Sequence, residues 1–182
     1  MNPIIESIYN ESLDIINKLN DISEISLAID AKRNFTKIFI LSAASFFEDQ
    51  IQKIIIEFVK ISSNNNDEVI CFLKNKAIAY NYHTYFAWGE KGQPDKFGKN
   101  ANAFFSLFGE DFKNKINKII LTRPELGISI KCFLEIGHMR NILIHSNFAA
   151  YNNISKTIEE FKDMFIEADK FIIFLEEILL KK

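Results

Sequence analysis

The sequence is poor in the residues that shape turns and in those that cross-link secreted proteins. Its 182 residues include only six Gly, three Pro and two Cys. A chain built of β-strands needs turn residues about every 8 to 12 positions, so this shortage favours helices. Cys71 and Cys132 are isolated from each other in apolar surroundings. We therefore expect two free thiols and a cytoplasmic location rather than a disulfide framework.

Long hydrophobic runs and an excess of positive charge are also missing. The longest predominantly apolar stretch, residues 38–47, is closed by Lys37 and Glu48. It is much shorter than the roughly 18 residues that a membrane span requires. Residues 1–12 lack the basic segment of a secretory signal. The formal net charge of −2 gives no general attraction to nucleic acid or to an anionic membrane. We expect no membrane contact.

The hydrophobic content, in contrast, is high enough for one sizeable core. Hydrophobic residues make up 48% of the chain and include 18 Phe. A chain of this length fits a single domain, residues 1–182. Apolar residues recur at three- and four-residue steps, which predicts an all-α fold. The predicted elements are one or two helices over 3–29, a long central helix over 31–61, a helix from 67 to about 88, a loop over 89–99, short and longer helices over 102–108 and 110–121, a helix from 124 to about 145, and a terminal helix from about 155 or 157.

Two helix starts have recognisable caps in the sequence. Asn66 precedes Asp67 and Glu68, a pattern typical of an N-cap followed by acidic residues in the first turn. Thr122 and Glu125 have the spacing of a capping box.

The sequence lacks the motifs of several common chemistries. Glu135 and His138 have the spacing that di-iron helical bundles use, but the second copy and the further glutamates are absent. The zinc-binding His-Glu-x-x-His motif, a phosphate-binding glycine loop and the Gly-x-Ser-x-Gly elbow of hydrolases are also absent. We predict no metal site and no cofactor.

Residues 137–147 interrupt an apolar pattern with strong polar groups. On a helix, His138, Asn141 and His145 lie within about 60° of one another and form one polar stripe. Arg140 lies off this stripe, and its Cβ direction differs from that of His145 by about 140°. One helix does not easily aim both side chains at one atom. Two copies related by a twofold axis do so more readily, which favours a homodimer.

A purely structural interpretation of these residues stays open at this point. Arg140 would form an ion pair, His145 would interact with the C-terminal helix dipole, and Asn141 would hydrogen-bond locally.

The same residues match the signature of a known superfamily. Arg140, Asn141 and His145 follow the order of Arg, a polar residue, about three to five further residues and His. This order resembles the HEPN superfamily. Residues 42–48 and 102–109 are similar to its RiboL-PSP-type branch. The resemblance covers about residues 30–180.

The resemblance implies a HEPN-like helical bundle with a long central helix and extra short helices. It implies a homodimer formed through the motif helix and a metal-independent RNA endonuclease of a toxin–antitoxin or defence system. Arg140, Asn141 and His145 would be the catalytic residues, and cleavage would leave 2′,3′-cyclic phosphate ends. An antitoxin or activator protein is a further partner that it suggests. The alternative is a non-catalytic HEPN module that binds a partner protein.

Several weaker candidates accompany the signature. Glu48 would either reach the motif arginine inside the bundle or supply exposed charge on the central helix, and His138 shares the polar stripe. Asn147 would either contact RNA or end the helix in a left-handed conformation. A group of aromatic residues would either stack on bases or fill the core: Tyr80, Tyr82, His83, Tyr85, Phe86 and Trp88. A group of lysines would form either a basic surface for RNA or a solvated face: Lys91, Lys96, Lys99, Lys113, Lys115 and Lys118.

Overall fold

The computed structural model describes residues 1–181 and is built of α-helices. The helices are α1 (Pro3–Asp21), α2 (Ile25–Ser62), α3 (Asp67–Leu73), α4 (Tyr82–Tyr85), α5 (Asn102–Ser106), α6 (Glu110–Thr122), α7 (Pro124–His145) and α8 (Ile158–Leu180). Within residues 1–181 the only β-type pairing is an isolated antiparallel bridge between Gly89 and Phe97. The predicted all-α class and long central helix are confirmed.

The core lies between α2, α7 and α8, with α1 packed on the outer side of α2. Phenylalanine rings from these three helices pack against one another in the core. Phe47 of α2 stacks on Phe165 of α8 with ring centroids 4.8 Å apart, and it also meets Phe133 of α7 at 5.5 Å. Complete burial of each such ring stabilises the fold by roughly 1.5–3 kcal/mol. This packing holds α2 and α7 side by side.

Helix α2 spans 38 residues and has no internal Gly or Pro to interrupt it. It ends at Ser62, where the next turn places Asn64 and Asn65 in the left-handed conformation, with φ of 52° and 58°. The Asn66 side chain then accepts a 2.9 Å hydrogen bond from the Val69 backbone N–H. The predicted N-cap at Asn66 is confirmed.

The predicted helix from residue 67 to about residue 88 is not continuous in the structure, so this prediction is wrong. Helix α3 ends at Leu73, and a wider π-helical turn follows over Lys74–Ile78. Tyr80 then has a left-handed φ of 67°, and the chain re-enters a helix only for the short α4. The turn brings a run of aromatic side chains into the core beside α7, and this burial outweighs the local preference for a continuous helix.

The capping box predicted at Thr122 is also wrong. Thr122 is the last residue of α6, so its hydroxyl donates back to the Ile119 carbonyl at 2.9 Å. Arg123 is the N-cap of α7, and no side chain caps that helix. A capping box does occur at α8, where Thr157 and Glu160 bond reciprocally. The predicted start of the terminal helix is therefore confirmed.

Across residues 1–181, no helix combines the length and the apolar character needed to span a membrane.

Candidate active site

The signature residues lie at the C-terminal end of α7, where this buried helix reaches the surface. Arg140 and Asn141 are partly exposed and His145 is exposed, whereas Ile142 and Leu143 between them are buried. One turn earlier, Gly137 packs directly on an indole ring. A Cβ there would lie 2.1 Å from Cζ3 of Trp88, so this position excludes any side chain. The close approach fixes α7 against the segment that precedes the loop.

A cavity of about 520 Å³ opens beside this end of α7. Its volume is within the range of about 300–1,000 Å³ that is usual for ligand sites. The titratable and polar side chains on its wall are Glu48, Tyr80, Tyr82, His83, Lys91, His138, Arg140, Asn141 and His145. The structure thus brings the three signature residues of one chain to one cavity. Although their side-chain directions differ, the cavity extends far enough around the helix end to meet all of them.

The guanidinium of Arg140 is held from two sides. Its Nη1 donates to Oδ1 of Asn141 at 3.1 Å, and its Nη2 lies 3.4 Å from Oε2 of Glu48 on α2. The side chains of Arg140 and Glu48 are 27% and 31% exposed, so both remain accessible from the cavity. The proximity of Glu48 to the motif arginine that the sequence suggested is present in the structure. The arrangement presents an oriented guanidinium to an anion in the cavity.

His138 lies beneath the loop over residues 89–99. The residue is 1% exposed, and its Nε2 is 2.8 Å from the carbonyl oxygen of Gln93, which requires the proton on Nε2. Its Nδ1 approaches Gly89 so closely that a Cβ on Gly89 would lie 2.8 Å away. The loop is braced by bonds from Glu90 N–H to the Lys96 carbonyl and from Gly98 N–H to the Trp88 carbonyl, both 3.1 Å. His138 therefore joins this loop to the motif helix.

Tyr82 also borders the cavity, and its phenol is neutral. Burial raises the pKa of the Tyr82 phenol well above its usual value, the carboxylate of Glu48 raises it further, and Arg140 lowers it. The phenol stays protonated at physiological pH because burial disfavours the phenolate. Tyr82 therefore adds no negative charge to the cavity wall.

A family model described as RiboL-PSP-HEPN matches residues 5–181. The chain belongs to this HEPN family. The family comprises predicted ribonucleases, and the match extends the resemblance seen in the sequence to almost the whole chain. Comparison with curated proteins and with solved structures finds no match.

Asn147 does not border the cavity of this HEPN domain, unlike Glu48 and His138. Its side chain and its carbonyl both accept from the Ala150 N–H, which forms a turn after α7. Asn147 does not adopt the left-handed conformation, so that alternative is wrong, and Ser146 is the C-cap of α7.

Sequence reasoning missed the buried lysine that holds this turn. Lys37 of α2 is 1% exposed, and its Nζ donates to the Phe148 carbonyl at 2.9 Å. The same ammonium lies 5.2 Å from the centroid of the Phe148 ring. The only indication in the sequence is a lysine inside an otherwise apolar face of the central helix. Lys37 ties the chain just after His145 to α2.

The structure divides the aromatic residues that the sequence singled out. Tyr82, Tyr85, Phe86 and Trp88 are buried in the core, whereas Tyr80 and His83 are exposed.

The candidate lysines lie in different places relative to the cavity. Lys91 borders the 520 Å³ cavity, and Lys96 and Lys99 border a neighbouring one that shares Gly89 and Asn141 with it. The three lysines of α6 border neither cavity.

Among residues 1–181, no group of three or more His, Cys, Asp or Glu side chains is arranged to hold a metal ion.

Proposed function

We propose that this HEPN domain is a metal-independent RNA endonuclease that acts as a homodimer and serves as a toxin or defence effector. The observation that carries the proposal is the meeting of Arg140, Asn141 and His145 at one cavity in a family of predicted ribonucleases. The catalytic site is composite, with these three residues supplied by both protomers.

His145 is the general base of the proposed reaction. It takes the proton from a ribose 2′-hydroxyl while the 2′-oxygen attacks the adjacent phosphorus atom, since an imidazole nitrogen can accept a proton and later give it up. The bond from phosphorus to the 5′-oxygen breaks. The protonated His145 of the second protomer returns a proton to that oxygen. The products are a 2′,3′-cyclic phosphate and a 5′-hydroxyl.

Arg140 binds the phosphate and stabilises the negative charge that grows on its oxygens. A planar guanidinium suits this task because it donates two parallel hydrogen bonds. Glu48 and Asn141 keep it oriented through the contacts at 3.4 and 3.1 Å.

The geometry of α7 supports the homodimer. The Cβ directions of Arg140 and His145 differ by about 140° on one helix, whereas two antiparallel copies can turn both toward one phosphate. Apolar side chains beside the signature residues are available for a twofold contact. Ile144 is 50% exposed and Phe148 is 38% exposed.

The test uses purified protein and total RNA in the presence of EDTA. Wild type should cleave and leave 2′,3′-cyclic phosphate ends, and Arg140→Ala and His145→Ala should each cleave at least about 100-fold more slowly. Arg33→Ala is the matched control, because Arg33 pairs with Asp30 on α2 and does not border the cavity. Circular dichroism checks that each variant is folded.

Two outcomes would overturn the proposal. One is a folded wild type that leaves RNA intact, which would favour a module that binds a partner protein. The other is cleavage that both variants retain. The mass in solution at micromolar concentration tests the composite site separately, because a strict monomer would contradict it.

A further inference from the structure

Tyr80 has the largest exposed fraction of any tyrosine among residues 1–181. It is 92% exposed, whereas Tyr9, Tyr82 and Tyr85 are buried and Tyr151 is partly buried. Its four neighbours in the aromatic segment, from Tyr82 to Trp88, fill the core. Packing therefore does not account for the aromatic ring at position 80.

The backbone that carries Tyr80 is held firmly. Its φ of 67° lies in the left-handed region, which bulky residues adopt rarely. The Asn81 side chain donates to the carbonyls of Lys76 and Ala79, both at 3.2 Å. The Tyr85 hydroxyl donates to the Ala77 carbonyl at 2.7 Å. These bonds on both sides of Tyr80 maintain a conformation that is otherwise unfavourable.

The exposed ring borders the same cavity as the Arg140 guanidinium. His83 and Lys91, both exposed, lie on this wall as well. The cavity has two permanent cations, Arg140 and Lys91, against one carboxylate, that of Glu48. This local balance is opposite to the chain's net charge of −2. An aromatic face and cationic groups on one cavity wall match the bases and phosphates of a nucleic acid strand.

We propose that Tyr80 is a stacking surface for an unpaired base next to the phosphate that Arg140 holds. Lys91 contacts a neighbouring phosphate of the same strand. The substrate class is therefore single-stranded RNA or an unpaired loop, because a base within a duplex already stacks on its neighbours. Every base can stack on an aromatic ring, so the subsite selects unpaired nucleotides and not a particular sequence. The inference rests on the proposed function for the identity of the strand as RNA.

The test measures binding without cleavage. The probe is a short RNA of mixed sequence with 2′-O-methyl groups, which block attack by the 2′-oxygen, offered as a single strand and as a blunt duplex. Wild type should bind the single strand at least about tenfold more tightly than the duplex, and Tyr80→Ala should weaken single-strand binding by about tenfold. Tyr80→Phe, which keeps the ring, should bind as wild type does.

Two matched controls complete the design. Phe72→Ala removes an aromatic ring that is 64% exposed on α3 and does not border the cavity, and it should leave binding unchanged. Lys91→Gln should reduce the slope of log affinity against log salt by about 0.7, the value for one phosphate contact on a single strand. Lys53→Gln should leave that slope unchanged, because Lys53 pairs with Asp49 away from the cavity.

Failure of this inference differs from failure of the proposed function. Equal binding by wild type and Tyr80→Ala, or equal binding of single strand and duplex, overturns the stacking subsite even if RNA is cleaved. Loss of binding in Tyr80→Ala supports the subsite even if wild type cleaves nothing. If RNA is cleaved, Tyr80→Ala should raise KM and leave kcat unchanged, whereas loss of catalytic geometry would lower kcat.

Discussion

Glu48 and Arg140 are 92 positions apart in the chain, and their side chains lie 3.4 Å apart across α2 and α7. Both groups are partly exposed, so the ion pair itself stabilises the fold by no more than about 1 kcal/mol. Its consequence is orientation, because the same guanidinium also donates to Asn141. The central helix thereby supports a residue of the proposed catalytic site.

Glu48→Gln removes the carboxylate charge and keeps the side-chain shape. We expect kcat for RNA cleavage to fall about tenfold, because a guanidinium that is less well oriented binds the reacting phosphate less well. The free energy of unfolding should change by less than about 1 kcal/mol in urea titrations. Asp49→Asn, which alters an exposed pair with Lys53, is the control. An unchanged kcat in Glu48→Gln would rule out this positioning role.

Gly89→Ala tests the close approach of the loop to α7. The new Cβ would lie 2.1 Å from the Lys96 carbonyl oxygen and 2.8 Å from Nδ1 of His138. We expect the free energy of unfolding to fall by at least about 2 kcal/mol. Gly92→Ala is matched, because Gly92 also has a positive φ, of 74°, but nothing lies within 4 Å of its Cβ position. If the free energy of unfolding fell equally in the two variants, crowding at Gly89 would not be the cause of the destabilisation.

The two cysteines should differ sharply in reactivity. Burial, followed by the nearby carboxylates of Glu167 and Glu135, raises the pKa of the Cys132 thiol to about 11. Cys132 is therefore almost entirely protonated at pH 7.5, and thiols react as thiolates. Cys71 is exposed on α3. A disulfide reagent should modify one thiol quickly in the native protein. The Cys71→Ser variant should lack this fast reaction. Two fast thiols in the native wild type would contradict the burial of Cys132.

Glu167 on α8 should make stability depend on acid pH. Hydrogen bonds from the Lys170 ammonium and then the Ser129 hydroxyl, the latter at 2.7 Å, lower the pKa of the Glu167 carboxyl, although burial opposes them. A lowered folded-state pKa gives stability that is fully present above the unfolded value of about 4.3. That stability is lost as the pH falls through the folded-state value.

Glu167→Gln should accordingly be less stable than wild type at pH 7, and the difference should shrink as the pH is lowered to about 3. Urea unfolding at pH 7, 5 and 3 measures it. Glu176→Gln, at an exposed position of the same helix, is the control. A difference that stays constant across this range would mean that the carboxylate charge of Glu167 is not involved.

Most of the helices could be predicted because their patterns are local. The apolar spacing of residues 31–61 and 158–180 reports which side of a helix is buried, and that spacing holds wherever the helix packs. The prediction of one helix over 67–88 was wrong because a turn in this segment carries its aromatic residues into the core. A run of Tyr, Phe and Trp is apolar in any conformation, so composition alone did not show where α3 stops.

The sequence by itself determined the signature of Arg140, Asn141 and His145, because these residues are close neighbours on one helix. Only the tertiary structure decided what surrounds them. Glu48 comes from α2, the Gln93 carbonyl comes from the loop, and Tyr80 is exposed where its aromatic neighbours are buried. These relationships depend on how distant segments pack, and packing is set by the shape of the whole core rather than by the spacing of residues along the chain.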